Sequence, residues 1–314
     1  MITKCSICSF ETKSRDIIVR SGKKLKVFHC SACDFDFFDL DPTSLLTADK
    51  LDESRLKSAG LDIPSIDKDF ENGLKQSLPY LDEFITEKDR GTNILEVGCS
   101  VGYFLRLLKE NGVNPYGVEL NVNRAKYVNE YLNISCYDTL EKCEESKVKF
   151  KKIFLFYVLE YIPNPVEYFK RLIAMLDEGG SIMIVSPNLS DFLKDAFQNM
   201  GFSSFFYDEC AVNYFSLNAM KQFAEVLPVK NYQLYTKQGY SFVNHLSWHL
   251  TNKPRTTGMV GGDIYIDTII ELFTGSKIDF KGEMITLLRK FDSDYKKLIQ
   301  ENNYGNQIYL ILKN

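Results

Sequence analysis

Residues 93–120 constrain the fold more than any other stretch of the chain. The apolar run Asn93-Ile-Leu-Glu-Val97 stops at Gly98. A helical stretch follows, with Phe104, Leu105, Leu107 and Leu108 turned inward and Gly112 as its stop signal. Residues 114–120 then read as a second strand ending on an acid, Glu119, with Leu120 beside it. Strand, glycine-rich turn, helix, strand and acid together make a nucleotide-binding βαβ unit. Gly98 permits a tight turn, and Gly102 lets the helix begin close to a ligand. Glu119 lies 21 residues beyond Gly98, where a carboxylate can accept both hydroxyls of a ribose.

The loop also discriminates among nucleotides. A dinucleotide fingerprint needs G-x-G-x-x-G so that helix amides meet a pyrophosphate. Here the order is Glu96-Val97-Gly98-Cys99-Ser100-Val101-Gly102, with Ser100 in place of the middle glycine and an acid closing the strand. Glu96 would repel pyrophosphate and suits a ligand with a cationic amino group. The stretch ILEVGCSVGYFL resembles the E-x-G-x-G-x-G motif of class I S-adenosylmethionine (SAM) methyltransferases, and YGVEL is similar to their acidic second strand. Further along, Leu159-Glu160-Tyr161-Ile162-Pro163 resembles the family's segment after strand four. Residues 176–188 resemble its fifth strand, residues 212–227 its "YFS" helix with Ser216 as N-cap, and residues 306–314 its antiparallel last strand.

That resemblance implies an α/β, Rossmann-like doubly wound sheet that binds SAM. Glu96, Gly98, Cys99, Ser100, Gly102, Glu119 and Leu120 would line the cofactor. Asp138, after the third strand, either bonds the adenine amino group or sits in a surface turn. Tyr157 and Glu160 stand at the carboxyl end of strand four, as rim residues or, for Tyr157, as a packed tyrosine.

In front of this unit, Cys5-x-x-Cys8 and Cys30-x-x-Cys33 flank a hairpin with strands near Ile17–Arg20 and Leu25–Phe28. Two such knuckles can close a tetrahedral Zn2+ site, and four cysteines leave no open position, so the ion is structural. Arg20, Lys23, Lys24 and Lys26 can meet phosphate or simply solvate the hairpin. The expected division is a zinc-binding ribbon at 1–45, a linker and helix at 46–90, a SAM-binding core at 91–237, and a helical C-terminal insertion plus the last core strand at 238–314. In the second unit Phe70, Leu74, Leu78, Leu81 and Ile85 form an apolar stripe.

A four-cysteine module before this core is similar to the deoxysugar C-methyltransferases and their relatives in polysaccharide biosynthesis. Their catalytic segment reads Y-H-E-H, with the last His as base on a nucleotide-linked keto sugar. Here the segment is Tyr207-Asp208-Glu209-Cys210, and the family's second active-site His falls at Tyr161. With both histidines replaced, the resemblance favours a sugar hydroxyl over carbon as acceptor, with Glu209, Tyr207 or His245 as base. His245 and His249 stand four apart, on one helix face, as bases or as packed polar residues. Met284, Leu288, Phe291, Tyr295 and Leu298 mark the inner face of a last helix.

Composition narrows partners and place. A formal net charge of −4 disfavours nucleic acid. The N-terminus MITKCSICSF has no signal-peptide core and no apolar run is long enough to span a bilayer, so a cytoplasmic protein with reduced thiols is expected. Two other readings stand beside the sugar methyltransferase. One is a SAM-binding scaffold without catalysis, suggested by the replaced histidines and by Lys151 where many class I enzymes carry Asp. The other is a ribbon-guided methyltransferase of RNA or protein.

Overall fold

The computed structural model describes residues 3–38, 66–253 and 279–314, without the side chains of residues 66–69. The start of the unit expected at 46–90, through residue 65, lies outside the described residues. The chain starts with an antiparallel hairpin, β1 (Lys13–Ile18) and β2 (Lys24–Cys30), longer than the sequence suggested. Its reversal needs Gly22, whose φ of +83° is open to glycine at no steric cost. β3 (Phe35–Phe37) pairs with β2.

α1 (Ile66–Phe84) packs on the helix after the glycine loop, with Phe70 and the Tyr103 ring 5.2 Å apart. Leu78, expected on its inner stripe, is exposed, whereas Tyr80 and Phe84 pack inward. The chain then alternates β4 (Asn93–Val97), α2 (Tyr103–Glu110), β5 (Asn114–Val118), α3 (Val122–Glu130), β6 (Ser135–Tyr137), α4 (Leu140–Glu145), β7 (Phe150–Phe156), α5 (Pro165–Ala174) and β8 (Leu176–Pro187). Two short helices, α6 (Phe192–Asp195) and α7 (Met200–Phe206), lead to β9 (Asn213–Phe215), α8 (Leu217–Glu225) and β10 (Asn231–Lys237). α9 (Phe242–Thr251), α10 (Lys281–Glu301) and β11 (Gln307–Lys313) follow.

The large sheet has the order β10-β11-β8-β7-β4-β5-β6. β4 to β8 run parallel, and β11 is inserted antiparallel between β8 and β10. Strand order reverses at β4, so a crevice opens at the carboxyl ends of β4 and β7. This is the Rossmann-like α/β arrangement that the alternating pattern implied. Its two faces hold separate apolar layers. One, around Ile94, Phe104 and Phe154, lies under α1 to α3; the other, around Leu95, Phe169 and Phe223, continues into Cys5, Phe35 and Phe37 of the ribbon.

Two features depart from expectation. β9 pairs with β3, matching Phe35 to Phe215 and Phe37 to Asn213, so the ribbon sheet is completed by a strand of the core. The buried line of α10 runs through Asp292 and Ile299, while Phe291 and Leu298 are exposed. Polar contacts set that register: Asp292 accepts the Phe242 amide at 2.9 Å, and Gln300 accepts the Gln238 amide at 2.8 Å.

Phe154 is 1% exposed and its ring meets Phe104 edge-on at 5.1 Å in the centre of the first layer. Phe154→Ala is expected to cost about 3–5 kcal/mol of stability, read as a lower urea midpoint with an unchanged m-value.

Candidate functional site

The site is built on the turn that leaves β4. The amides of Gly98 and Cys99 both donate to the Val118 carbonyl, at 2.7 and 3.3 Å, which ties the loop to β5. Gly98 has φ +73°, and a Cβ there would lie 2.4 Å from a Val158 methyl. Ser100 also takes a left-handed backbone, φ 52°. Gly102 caps α2 with φ +84°, and a Cβ on it would meet Leu132 at 2.7 Å. Gly102 therefore also serves helix packing and backbone freedom, beside the close approach to a ligand that the spacing suggested.

Glu119 is held by two amides, Ser100 N–H on Oε2 at 2.9 Å and Asn121 N–H on Oε1 at 2.8 Å. Its carboxylate is thereby fixed at the loop with acceptor capacity left over. Glu96 is 6% exposed and its Oε2 has no hydrogen-bond partner. Burial, reinforced by the charges of Cys136 and Glu119, pushes its carboxyl well above the usual range. An orphaned buried carboxylate oxygen facing a fixed second carboxylate fits a ligand that brings a cationic amino group and hydroxyls.

The remaining predicted cofactor residues divide. Asp138 receives Lys142 Nζ on Oδ2 at 2.7 Å, and its Oδ1 is buried without a partner. Leu120 is 64% exposed beside Glu119. Cys99 Sγ lies 3.6 Å from Cys136 Sγ, in the core beneath Gly117. Tyr157 takes φ 57° at the end of β7, and its hydroxyl bonds Gln307. Burial, and then the neighbouring Tyr80 and Tyr240, raise its phenol well above the ordinary value. Tyr80, Tyr309 and Gln307 come from α1 and β11, and no local pattern in the sequence marked them.

Tyr161 and residues 207–210, the segments expected to face the acceptor, lie together in the structure. Val212 N–H donates to the Glu160 carbonyl at 2.8 Å, and Tyr161 packs against Tyr207 and Tyr214. Tyr207 does not fit the expected role of base. Its hydroxyl donates to Asp36 Oδ2 at 2.6 Å, and burial together with that charge raises its pKa further. Glu209 pairs with Lys23 at 2.9 Å and accepts Ser21 Oγ at 3.1 Å, while Cys210 is buried close to the same lysine.

His245 does not join the site as a base. It is fully buried, with Nδ1 2.7 Å from Tyr295 Oη and Nε2 3.1 Å from Gln238 Nε2. Because Gln238 Nε2 also donates to the Tyr240 carbonyl, it is the amide nitrogen, so His245 Nε2 accepts and Nδ1 carries the proton. Burial lowers its pKa to about 4, and the imidazole stays neutral. His249 is exposed on the same helix.

The four ribbon sulfurs lie within 4.8 Å of one another, with Cys5–Cys33 at 3.7 Å and Cys8–Cys30 at 3.4 Å. A tetrahedron with Zn–S of about 2.3 Å has edges of about 3.8 Å, so the cluster fits such an ion. The Ile7 amide donates to Cys5 Sγ at 3.4 Å, support that a thiolate ligand favours.

Residues 72–226 match the family model described as "Methyltransferase domain". The chain carries a class I SAM-dependent methyltransferase domain. Among curated proteins, the domain is similar to a ubiquinone biosynthesis O-methyltransferase of Coxiella burnetii, 27% identical over 118 residues, covering 35% of this chain and 49% of the relative. The chain thus spans about half the length of the curated relatives it matches. A SAM-dependent methyltransferase from Archaeoglobus fulgidus aligns with TM-score 0.49 at 15% identity, covering 78% of this chain and 94% of that one. A possible histamine N-methyltransferase from Thermotoga maritima aligns with TM-score 0.45 at 11% identity, covering 84% and 95%. Among the described residues, no helix is long and apolar enough to cross a membrane.

Two outcomes test the cradle. Gly98→Ala forces a Cβ into a left-handed backbone at roughly 1–2 kcal/mol and into the Val158 methyl, so affinity for S-adenosylhomocysteine (SAH) falls about tenfold or more by calorimetry. Adding Val158→Ala relieves the collision and recovers part of the loss. A bound ammonium stabilises ionised Glu96, whereas burial in the free protein favours the protonated form, so binding expels a proton. SAH affinity is therefore expected to strengthen as pH rises beyond the usual carboxylate range, by up to ~tenfold per unit, and to lose that slope in Glu96→Gln.

Proposed function

We propose that the protein transfers a methyl group from SAM to a hydroxyl of a sugar or nucleotide-linked sugar, with a structural Zn2+ in the ribbon. The observation that carries the SAM half is the pair Glu96 and Glu119 at the turn of Gly98. Glu96 offers its partnerless oxygen to the amino group, Glu119 accepts the ribose hydroxyls, and Asp138 Oδ1 is available to the adenine amino group. When bound, SAM supplies the electrophilic methyl. The protein's part is to align an acceptor oxygen with that methyl, and positioning alone supplies several kcal/mol of such a barrier.

The acceptor half rests on the resemblance of the four-cysteine module and residues 207–210 to the deoxysugar methyltransferase family. Oxygen is favoured over carbon because the base histidines of that family are replaced by Tyr161 and Cys210. Glu209, 17% exposed beside Lys23, is the proposed proton acceptor of the segment. A second reading, a SAM-binding relative without transfer, is favoured by one observation: Tyr207 and Glu209 are both already engaged by the ribbon.

The zinc-loaded protein is expected to bind SAM and SAH in calorimetry; no binding of either refutes the proposal. Incubation with SAM and a panel of nucleotide sugars is expected to yield one product heavier by a methyl group. Glu209→Gln should lower that turnover about tenfold or more while leaving SAH affinity within a few-fold. A panel without any methylated product would leave the scaffold reading standing instead.

A further inference from the structure

The ribbon hairpin and residues 205–215 are distant in sequence and bound together along their length. Asp36, 1% exposed, gathers Arg15 at 2.7 Å, Tyr207 at 2.6 Å and His29 at 2.7 Å. Arg20, at the hairpin's turn, donates Nε to the Phe205 carbonyl at 2.8 Å, lies 4.0 Å over the Phe205 ring and pairs with Asp208. Backbone joins them too: Arg20 N–H reaches the Tyr207 carbonyl at 2.8 Å and Phe38 N–H the Val212 carbonyl at 3.0 Å, while β3 pairs with β9. From β9, Asn213 Nδ2 donates to the Ile162 carbonyl at 2.6 Å, behind Tyr161. Both acceptor-side segments thus hang on the ribbon.

The ribbon's outer strand has little to hold it, although its inner strands join the core. β1 is almost wholly exposed, and a two-stranded hairpin is marginal by itself in water. β3 has three residues and follows the second knuckle directly, with Cys30 at the end of β2. Closing four sulfurs on one ion fixes that connection, and metal binding free energy is then folding free energy for whatever the ribbon orders. We infer that the ribbon is a metal-set clamp, in which occupancy of the four-cysteine site governs the order of residues 205–215 on the acceptor side and leaves the Gly98 cradle intact. The inference needs the metal site of the proposed function but not the transfer reaction.

The chain supplies its own reporter. Trp248 is the sole tryptophan, and its ring lies 5.2 Å from both Phe205 and Phe202. In the full-length protein, stripping zinc with a chelator, followed by metal analysis, is expected to shift Trp248 emission to the red. It should also lower amide-exchange protection of residues 205–215 about tenfold or more, while β4 and β5 keep theirs. SAH affinity should stay within about threefold, and added zinc should restore all signals. Arg20→Met, with zinc retained, should reproduce the Trp248 shift. Unchanged protection of 205–215 after stripping, alongside loss in residues 3–38, overturns the clamp. Loss of protection in β4 and β5 together with 205–215 also overturns it, because the ion would then hold the whole domain. A zinc-loaded protein that binds no SAH refutes the methyltransferase proposal yet leaves the exchange comparison decisive.

Discussion

Gly98 leaves β4 at φ +73° with a Val158 methyl where a side chain would be, and the two carboxylates of the cradle take their places from that turn. The turn brings two amides onto the Val118 carbonyl, so the end of β5 and the loop move as one piece. Ser100, two residues on, donates its amide to Glu119 and points that carboxylate back at the loop. Glu96 is already fixed by the strand itself, two residues before the glycine. A loop with a side chain at residue 98 would have to part from β5 or from Val158, and either movement would separate Glu96 from Glu119. The geometry of a ligand site thus follows from a backbone conformation that elementary sterics reserve for glycine.

The electrostatics of the cradle follow from the same arrangement. A buried carboxylate with an unpartnered oxygen is costly when ionised, and a second carboxylate nearby adds to the cost. Glu119 accepts two amides, whereas Glu96 keeps an oxygen without a partner, and burial pushes its carboxyl well above the usual range. A ligand ammonium reverses the balance for Glu96, because it supplies both the opposite charge and the missing hydrogen bond. In the proposed SAM complex, part of the affinity would come from relieving an unfavourable group already present in the protein, which is a form of preorganisation. A pyrophosphate would worsen the same charges, so the loop discriminates by repulsion as well as by fit.

What could be read from the sequence was local. Cys5, Cys8, Cys30 and Cys33 declare themselves by spacing, and the strand, glycine and acid of 93–120 by periodicity, because those patterns are complete within about 30 residues. Ser216 was legible as an N-cap for the same reason, and its hydroxyl accepts the Ala219 amide at 3.1 Å. The pairing of β3 with β9 was not, since two three-residue strands nearly 180 positions apart leave no period to detect. His245 illustrates the other limit. Its spacing from His249 correctly put both on one helix, but whether an imidazole meets solvent or Tyr295 depends on a helix 50 residues later. On α10, Tyr295 packs inward as the spacing implies, but Phe291 and Leu298 are exposed, because the hydrogen bonds of Asp292 and Gln300 to the amides of Phe242 and Gln238 set the helix's rotation.

The charges of the ribbon also change meaning once their partners are visible. In sequence, Arg20, Lys23 and Lys24 look available for phosphate. In the fold, Arg20 is bound to the Phe205 carbonyl and Asp208, Lys23 to Glu209, and Lys24 to Asp16 across the hairpin. Exposed pairs of this kind add little stability, and Lys24 with Asp16 is one of them. Arg20 differs, because its guanidinium is four-fifths buried, stacked on Phe205 and hydrogen-bonded to a backbone carbonyl that would otherwise face a turn. A cation spent on an internal contact cannot also neutralise an external phosphate without breaking that contact. Arg20 and Lys23 thus act on residues 205–209, and Lys24 on the hairpin itself.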